Sequence, residues 1–252
     1  MSSTRQNALI FGVGATGSNL AMMLAKTDNY NLHIVDMDKI EEKNTKVSMV
    51  YNSRHIGQSK VDVLRQEILK QNPSIEVYCY SYEVETIAHL KNIIMGNTET
   101  YTKFKYIFTC LDTLRTRVKI YKYVFDTLYN YQNSLNTANT TQLIDIGIGN
   151  HDSSNIQVFD YTMLENYLLS HDIPHDQIFN PIFRDKILRA INRIREPKKI
   201  EVCGNSTSIK INLFTTSYVI HLIETIHELD RVGHYDFDFN RPTDLQIIRS
   251  TF

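Results

Sequence analysis

Three glycines and an aspartate carry the first chemical signal. Gly12, Gly14 and Gly17 stand in a G-x-G-x-x-G arrangement, and Asp36 follows nineteen residues after the last of them. In such a turn the first glycine permits a tight reversal and the second lets a phosphate approach the backbone. The third lets the following helix pack close to the preceding strand. A helix N-terminus offers free N–H groups and partial positive charge to that phosphate, and an acid at this distance is placed to hydrogen-bond ribose hydroxyls. The flanking residues suit these roles. Ala8 to Phe11 is a short apolar run that reads as a buried parallel strand, Asn19 to Lys26 as a helix, and Leu32 to Val35 as a second strand ending on Asp36. Together they predict a nucleotide-binding βαβ unit.

Further polar residues recur where strands end. Asp38 and Asn44 lie in the segment after Asp36, and Ile56-Gly57-Gln58-Ser59-Lys60 opens a helix running to about Gln71. Val61, Leu64 and Ile68 fall at helical spacing, and Asn72-Pro73 stops the helix. Ile75 to Tyr80 reads as a third strand, Glu85 to Ile94 as a helix, and Tyr106 to Cys110 as a fourth strand leading into Leu111-Asp112. A carboxylate just past the C-terminal end of a parallel strand lies in the crevice where open α/β sheets bind ligands. Arg115 to Tyr129 continues as a helix, with Thr113 at its start. Gln142 to Ile148 is a fifth strand, which Asn155 to Asp160 joins as an antiparallel hairpin across Gly149-Asn150.

Residues 161–200 change character, with mixed charge, three of the five prolines and a cationic amphipathic helix from Ile182 to Ile194, read as a solvated face over a packed one. Cys203-Gly204-Asn205 precedes a long apolar helix from about Thr207 to Leu229, and Tyr235 to Ile248 reads as a closing hairpin. The expected fold is α/β: a Rossmann-like doubly wound sheet, mainly parallel with antiparallel strands at one edge. Residues 1–160 form the nucleotide-binding core, 161–205 a crossover segment, and 206–252 a helix and hairpin completing the same domain.

The whole chain sets bounds. At 252 residues it suits one α/β domain with a large core. A net charge of −1 with no basic cluster gives no footprint for nucleic acid. Cys79, Cys110 and Cys203 are odd in number and widely spaced, which favours a reducing compartment over a disulfide framework. With three cysteines and no C-x-x-C pair, a four-cysteine zinc site within the chain is excluded. The N-terminus reads as lacking a signal peptide and no apolar run reaches membrane-spanning length, so the expected location is the cytoplasm.

In order and spacing these features resemble the ThiF/MoeB/HesA adenylyltransferase family, which includes the catalytic domains of ubiquitin-activating enzymes. The matching residues are the GVGATGS turn, Asp36-Met37-Asp38, Asn44, Ile56 to Lys60, Asn72-Pro73, and Asp112 with Arg117 five residues later. The resemblance covers about residues 8–160 and resumes around Cys203 and the last long helix. It implies attack by the C-terminal carboxylate of a ubiquitin-like or sulfur-carrier protein on the α-phosphate of ATP, giving an acyl-adenylate and pyrophosphate. It further implies a glycine-ended tail as substrate and ATP with Mg²⁺ as cofactors, and a homodimer is one possible assembly.

Under that resemblance Asp36 would hold the ribose, and the glycine turn with Asn44 the phosphates. Lys60 would neutralise charge at the pentavalent phosphorus, and Asp112 would hold the magnesium. Asp38, Leu111 and Arg117 would complete the nucleotide site. Cys203 would accept the activated carboxyl as a thioester or on the way to sulfur transfer, as a cysteine on the crossover segment does in relatives; the residues alone suit a small buried side chain equally well.

The chain departs from the family pattern at one point. Where S-N-L-x-R-Q carries Arg-Gln, this sequence has Val47-Ser48, and neither can grip a triphosphate. Lys43, Lys46 and Arg54 are the cations nearest in sequence. Only seven residues precede the first strand, so the N-terminal helix that lends an arginine to a neighbouring site in related dimers is not expected. Two other patterns are set aside: Tyr101-x-x-x-Lys105 lies in a loop, not on a helix, and Pro174 interrupts His171 and His175, with His151 nearby. Two alternatives stay open. An NAD-dependent oxidoreductase suits Asp36 but leaves Asn44, Lys60 and Asp112 unexplained, and a catalytically weak partner-binding subunit suits Val47 and Ser48.

Overall fold

β1 (Gln6–Phe11), β2 (Tyr30–Val35) and β3 (Val77–Tyr80) are linked by α1 (Ala15–Thr27) and α3 (Lys60–Gln71), with the short α2 (Glu42–Thr45) between them. β4 (Phe104–Thr109) and β5 (Gln142–Ile148) follow, then β6 (Ser153–Asp160), α4 (Ser206–Thr225), β7 (His234–Asp238) and β8 (Ile247–Ser250). The computed structural model describes residues 5–84, 89–90, 93, 104–113, 116–117, 119–120, 141–148, 153–160, 206–225, 234–238 and 247–250.

These strands form one sheet in the order β3-β2-β1-β4-β5-β6-β7-β8. The first five are parallel and the last three antiparallel, as expected. Alternating side chains explain why the parallel strands read as unbroken apolar runs. Ala8, Ile10, Leu32, Ile34, Tyr106, Phe108, Ile144 and Ile146 build one core with Leu20 and Leu24 of α1, Leu64 and Ile68 of α3, and Val219 and Leu222 of α4. Their alternates Leu9, Phe11, Val35, Ile107 and Leu143 are equally buried, with Leu90, Ile93 and Ile120.

α1 begins directly after the glycine turn, four residues earlier than the apolar spacing predicts, because Asn19 and Leu20 already lie one turn in. Its far end is tied to the end of α3. Asn72 Nδ2 donates to Ala25 O at 3.0 Å and to Asp28 Oδ1 at 2.8 Å, satisfying a terminal carbonyl of α1. The Asn-Pro pair thus has a structural use, remote from the sheet's C-terminal rim. The helices over 85–94, 115–129 and 182–194 extend into or lie in segments outside the described residues.

His33 is the buried polar exception in β2. It is buried beside Tyr78, Tyr80 and Phe104, with Nδ1 2.9 Å from Tyr80 Oη. Burial depresses its pKa from 6.5 to about 4, opposed by Glu76. The folded form stays neutral where the unfolded chain takes a proton, so this stability is complete above pH 6.5 and drains away towards pH 4. The window corresponds to about 3 kcal/mol. Urea unfolding of wild type and His33→Phe at pH 7, 5.5 and 4 should show their difference shifting in favour of the variant as pH falls. Parallel curves would refute the assignment.

Candidate functional site

The strand order reverses between β1 and β4, so a crevice opens beyond their C-terminal ends. The glycine turn fills one side of it. Gly12 has φ +82° and donates its N–H to Val35 O at 2.8 Å, tying the turn to β2. A Cβ on Gly12 would meet Cys110 O and Leu111 Cδ2 at 2.8 Å, and one on Gly17 would lie 1.9 Å from Gly12 O. A Cβ on Gly14 would meet nothing within 4 Å, and no side chain caps the N-terminus of α1. Open space over uncapped helix N–H groups fits a phosphate group.

Asp36 and Lys60 meet beside this turn. Asp36 Oδ2 accepts from Val13 N and Oδ1 from Asp38 N, both at 2.9 Å. Lys60 Nζ lies 2.8 Å from Asp38 Oδ2 and 3.6 Å from Asp36 Oδ1. The Lys60 side chain is 8% exposed and that of Asp36 9%, whereas Asp38 is 55% exposed. Burial raises the Asp36 carboxyl above its ordinary pKa, and Lys60 opposes the rise. Tyr51, absent from the sequence reading, donates its hydroxyl to Val13 O at 2.7 Å, with Lys60 O 3.4 Å from the same oxygen, and so links both sides. Burial keeps that phenol protonated and therefore a donor.

The segment after Asp38 differs in detail from its expected use. Asn44 is buried and its Oδ1 caps α2 through Glu41 N at 2.8 Å. Val47 and Ser48 are core residues, 1% and 5% exposed. Ser48 Oγ lies 2.8 Å from Ser18 Oγ, and Asn19 Oδ1 accepts from Met49 N at 3.1 Å, which fastens this loop to α1. Lys43 and Lys46 are exposed and paired with Glu41 and Glu42, and Arg54 is exposed at a 3-10 turn.

On the other side of the crevice, Cys110 N donates to Phe11 O at 2.8 Å, and Asp112 follows at the rim, exposed, with Thr113 Oγ1 3.1 Å from its Oδ1. Arg117 is turned inward. It is 5% exposed, and its Nε donates to Leu111 O at 2.6 Å, reinforced by Nη2. Nη1 pairs with Asp145 Oδ2 at 3.2 Å, and Asp145 Oδ1 accepts from Thr109 Oγ1. Arg117, expected at the nucleotide, thus makes these contacts inside the protein. Asp145 went unnoticed in the sequence, although a carboxylate inside the apolar run QLIDIGI was a usable signal.

Among the described residues no cluster of three His, Cys, Asp or Glu side chains is placed to hold a metal ion. Magnesium usually keeps several waters and binds through one or two carboxylates with substrate phosphates, so Asp112 would be one ligand among these. Cys203, Tyr101, His151, His171 and His175 lie outside the described residues. Burial pushes the Cys79 thiol up to about 11 and the Cys110 thiol further, which disfavours the reactive thiolate in both. Iodoacetamide at pH 7.5 should leave both unlabelled in native protein and label both in urea, as read by peptide mass mapping. Fast native labelling of Cys110 would contradict this packing. Among the described residues no helix is long and apolar enough to cross a membrane.

Known proteins resemble this chain in sequence or in fold. Ubiquitin-like modifier-activating enzyme 5 of Caenorhabditis elegans is 26% identical over 114 residues, covering 44% of this chain and 27% of the relative. A probable molybdopterin-synthase adenylyltransferase of Gracilaria tenuistipitata var. liui is 27% identical over 118 residues, covering 45% of this chain and 33% of the relative. The match thus spans a third or less of either relative's length. Escherichia coli MccB, solved with ATP, superposes with TM-score 0.64 at 15% identity over 98% of this chain and 63% of its own. PaaA superposes with TM-score 0.61 at 16% identity, over 98% and 72%. These two likenesses concern the fold. Residues 3–167 match the ThiF family, well over half of the sequence, and the chain belongs to that family.

Proposed function

We propose that this protein adenylates the C-terminal carboxylate of a ubiquitin-like or sulfur-carrier protein with ATP. The single observation that carries the reading is the open glycine turn at the switch point, flanked by Lys60 with Asp36 on one side and Asp112 on the other. The carboxylate oxygen forms a bond to the α-phosphorus, the bond from that phosphorus to the bridging oxygen breaks, and pyrophosphate leaves. The two reactants are both anions, so alignment and charge neutralisation carry the rate. In this reading the turn and the N-terminus of α1 bind phosphates, Asp36 orients the ribose, and Lys60 meets the charge growing at the α-phosphate. Asp38 holds Lys60, the Asn44 amide donates to a phosphate, and Asp112 holds Mg²⁺. Bound magnesium would neutralise phosphate charge.

Relatives named as activating ubiquitin-like modifiers and molybdopterin synthase support this substrate class. ATP–pyrophosphate exchange in the presence of a small protein or tail peptide ending in glycine tests it. Exchange should need Mg²⁺ and a free terminal carboxylate, and fall away with an amidated tail. Passage of the acyl group to Cys203, in the cytoplasm and in a homodimer, extends the reading, and loss of a thiol-sensitive adduct in Cys203→Ser checks that step alone.

Burial of Val47 and Ser48 favours a second reading, a weakly catalytic subunit that binds its partner and relies on another chain. Binding of the tail with no exchange would select it, and a thermal shift with NAD instead of ATP-Mg²⁺ would reject both.

A further inference from the structure

Asp145 belongs to no strand end; it is a fully buried carboxylate in the middle of β5. Isolated, such a charge is prohibitively costly, so its partners define its use. They are Thr109 Oγ1 at the end of β4 and Arg117 Nη1 at 3.2 Å. Arg117 in turn spends Nε and Nη2 on a single acceptor, the carbonyl of Leu111, and Nη2 also lies 3.4 Å from Ile146 O. A guanidinium is a rigid fork, so two donors on one carbonyl set both its position and its direction.

That carbonyl belongs to the peptide joining Leu111 to Asp112. The residue before it is fixed from the other side, since Cys110 N donates to Phe11 O at the end of β1. The Leu111 side chain closes against Gly12, within 2.8 Å of where a Cβ would stand. Asp112 itself is exposed and has only the neighbouring Thr113 hydroxyl as a side-chain contact among those seen. Its placement is therefore inherited from the peptide behind it.

We propose that Asp145 and Arg117 are positioning residues: the buried pair clamps the Leu111 carbonyl and thereby aims the Asp112 carboxylate at the metal that accompanies the triphosphate. The proposal rests on the nucleotide reading above. It separates two functions that the sequence pattern merges, because Arg117 acts through the backbone and not on the nucleotide. A direct phosphate ligand would cost affinity for ATP with or without metal, whereas a clamp on Asp112 acts on the metal alone.

The test is a fluorescent ATP analogue titrated into the full chain in EDTA, then across a magnesium series. The variants are Arg117→Lys, Asp145→Asn and the double substitution Arg117→Met with Asp145→Leu, which removes the pair without stranding a charge. Wild type should bind in EDTA and tighten with Mg²⁺. In each folded variant the metal-free affinity should stay within about twofold of wild type while the magnesium midpoint rises roughly tenfold, a loss of about 1.4 kcal/mol of metal binding. If the single variants do not fold, the double variant decides. An unchanged magnesium midpoint in it, or loss of metal-free affinity equal to the loss with metal, overturns the proposal. A wild type that binds no ATP at all would instead overturn the nucleotide reading, and this inference with it.

Discussion

Gly17→Ala is expected to lose a large share of the protein's stability, while Gly14→Ala folds like wild type and loses nucleotide. The alanine methyl at position 17 would stand 1.9 Å from Gly12 O and 3.0 Å from Gly12 C, far inside contact distance. Both atoms are backbone, and Gly12 is held by its 2.8 Å bond to Val35 O, so neither yields without detaching the turn from β2. Overpacking of side chains costs about 1–3 kcal/mol. Here nothing flexible can give way, so a loss above about 3 kcal/mol is expected, a large share of a stability of roughly 5–15 kcal/mol. At position 14 the same methyl enters open space over the N-terminus of α1, where the proposed phosphate would lie. Urea midpoints by circular dichroism and ATP-Mg²⁺ thermal shifts read the two effects separately. A Gly17→Ala protein with an unchanged midpoint would refute the close approach, and a Gly14→Ala protein with unchanged affinity would refute the phosphate placement.

The contrast between these glycines was legible before any coordinates, because spacing within G-x-G-x-x-G assigns each glycine a different constraint. So were the parallel strands, whose two buried faces force unbroken apolar runs, and the antiparallel edge. Three features were less legible. Helix α1 starts at Ala15, before its apolar spacing begins, because its first turn follows the geometry of the glycine turn. Arg117 sits at the family spacing, but spacing cannot say whether a long side chain turns outward or back; the buried Asp145 decides that, and it lies 28 residues on in β5. Val47 and Ser48 read as losses from a binding motif, and the fold shows what the positions do instead: Val47 fills core and Ser48 pins the loop to Ser18.

Lys60→Met should cost catalysis far more than it costs the fold. The methionine keeps the buried apolar stem and removes the ammonium that lies between Asp36 and Asp38. Asp38 is mostly in water and loses little, but Asp36 loses the charge that opposes its desolvation. Asp36 retains its bonds from Val13 N and Asp38 N, which limits the loss at pH 7 to about 1–3 kcal/mol, below that of a fully severed buried pair. A carboxyl with a raised folded pKa holds its proton more firmly than in the unfolded chain, so its contribution falls as pH rises from the ordinary 3.8 through the raised value. Removing Lys60 raises that value further. Wild type and variant should therefore be closest in stability near pH 4 and diverge towards pH 7, and a constant gap would show that Asp36 does not feel the ammonium. For exchange the expectation is a fall of roughly 10²- to 10³-fold, the usual cost of losing one preorganised group aimed at transition-state charge. That fall should appear in kcat more than in KM for ATP, because growing charge on the α-phosphate distinguishes the transition state from bound ATP. An equal loss in ATP binding would make Lys60 an ordinary phosphate anchor, and undiminished exchange would leave its buried ammonium a purely structural partner of Asp36.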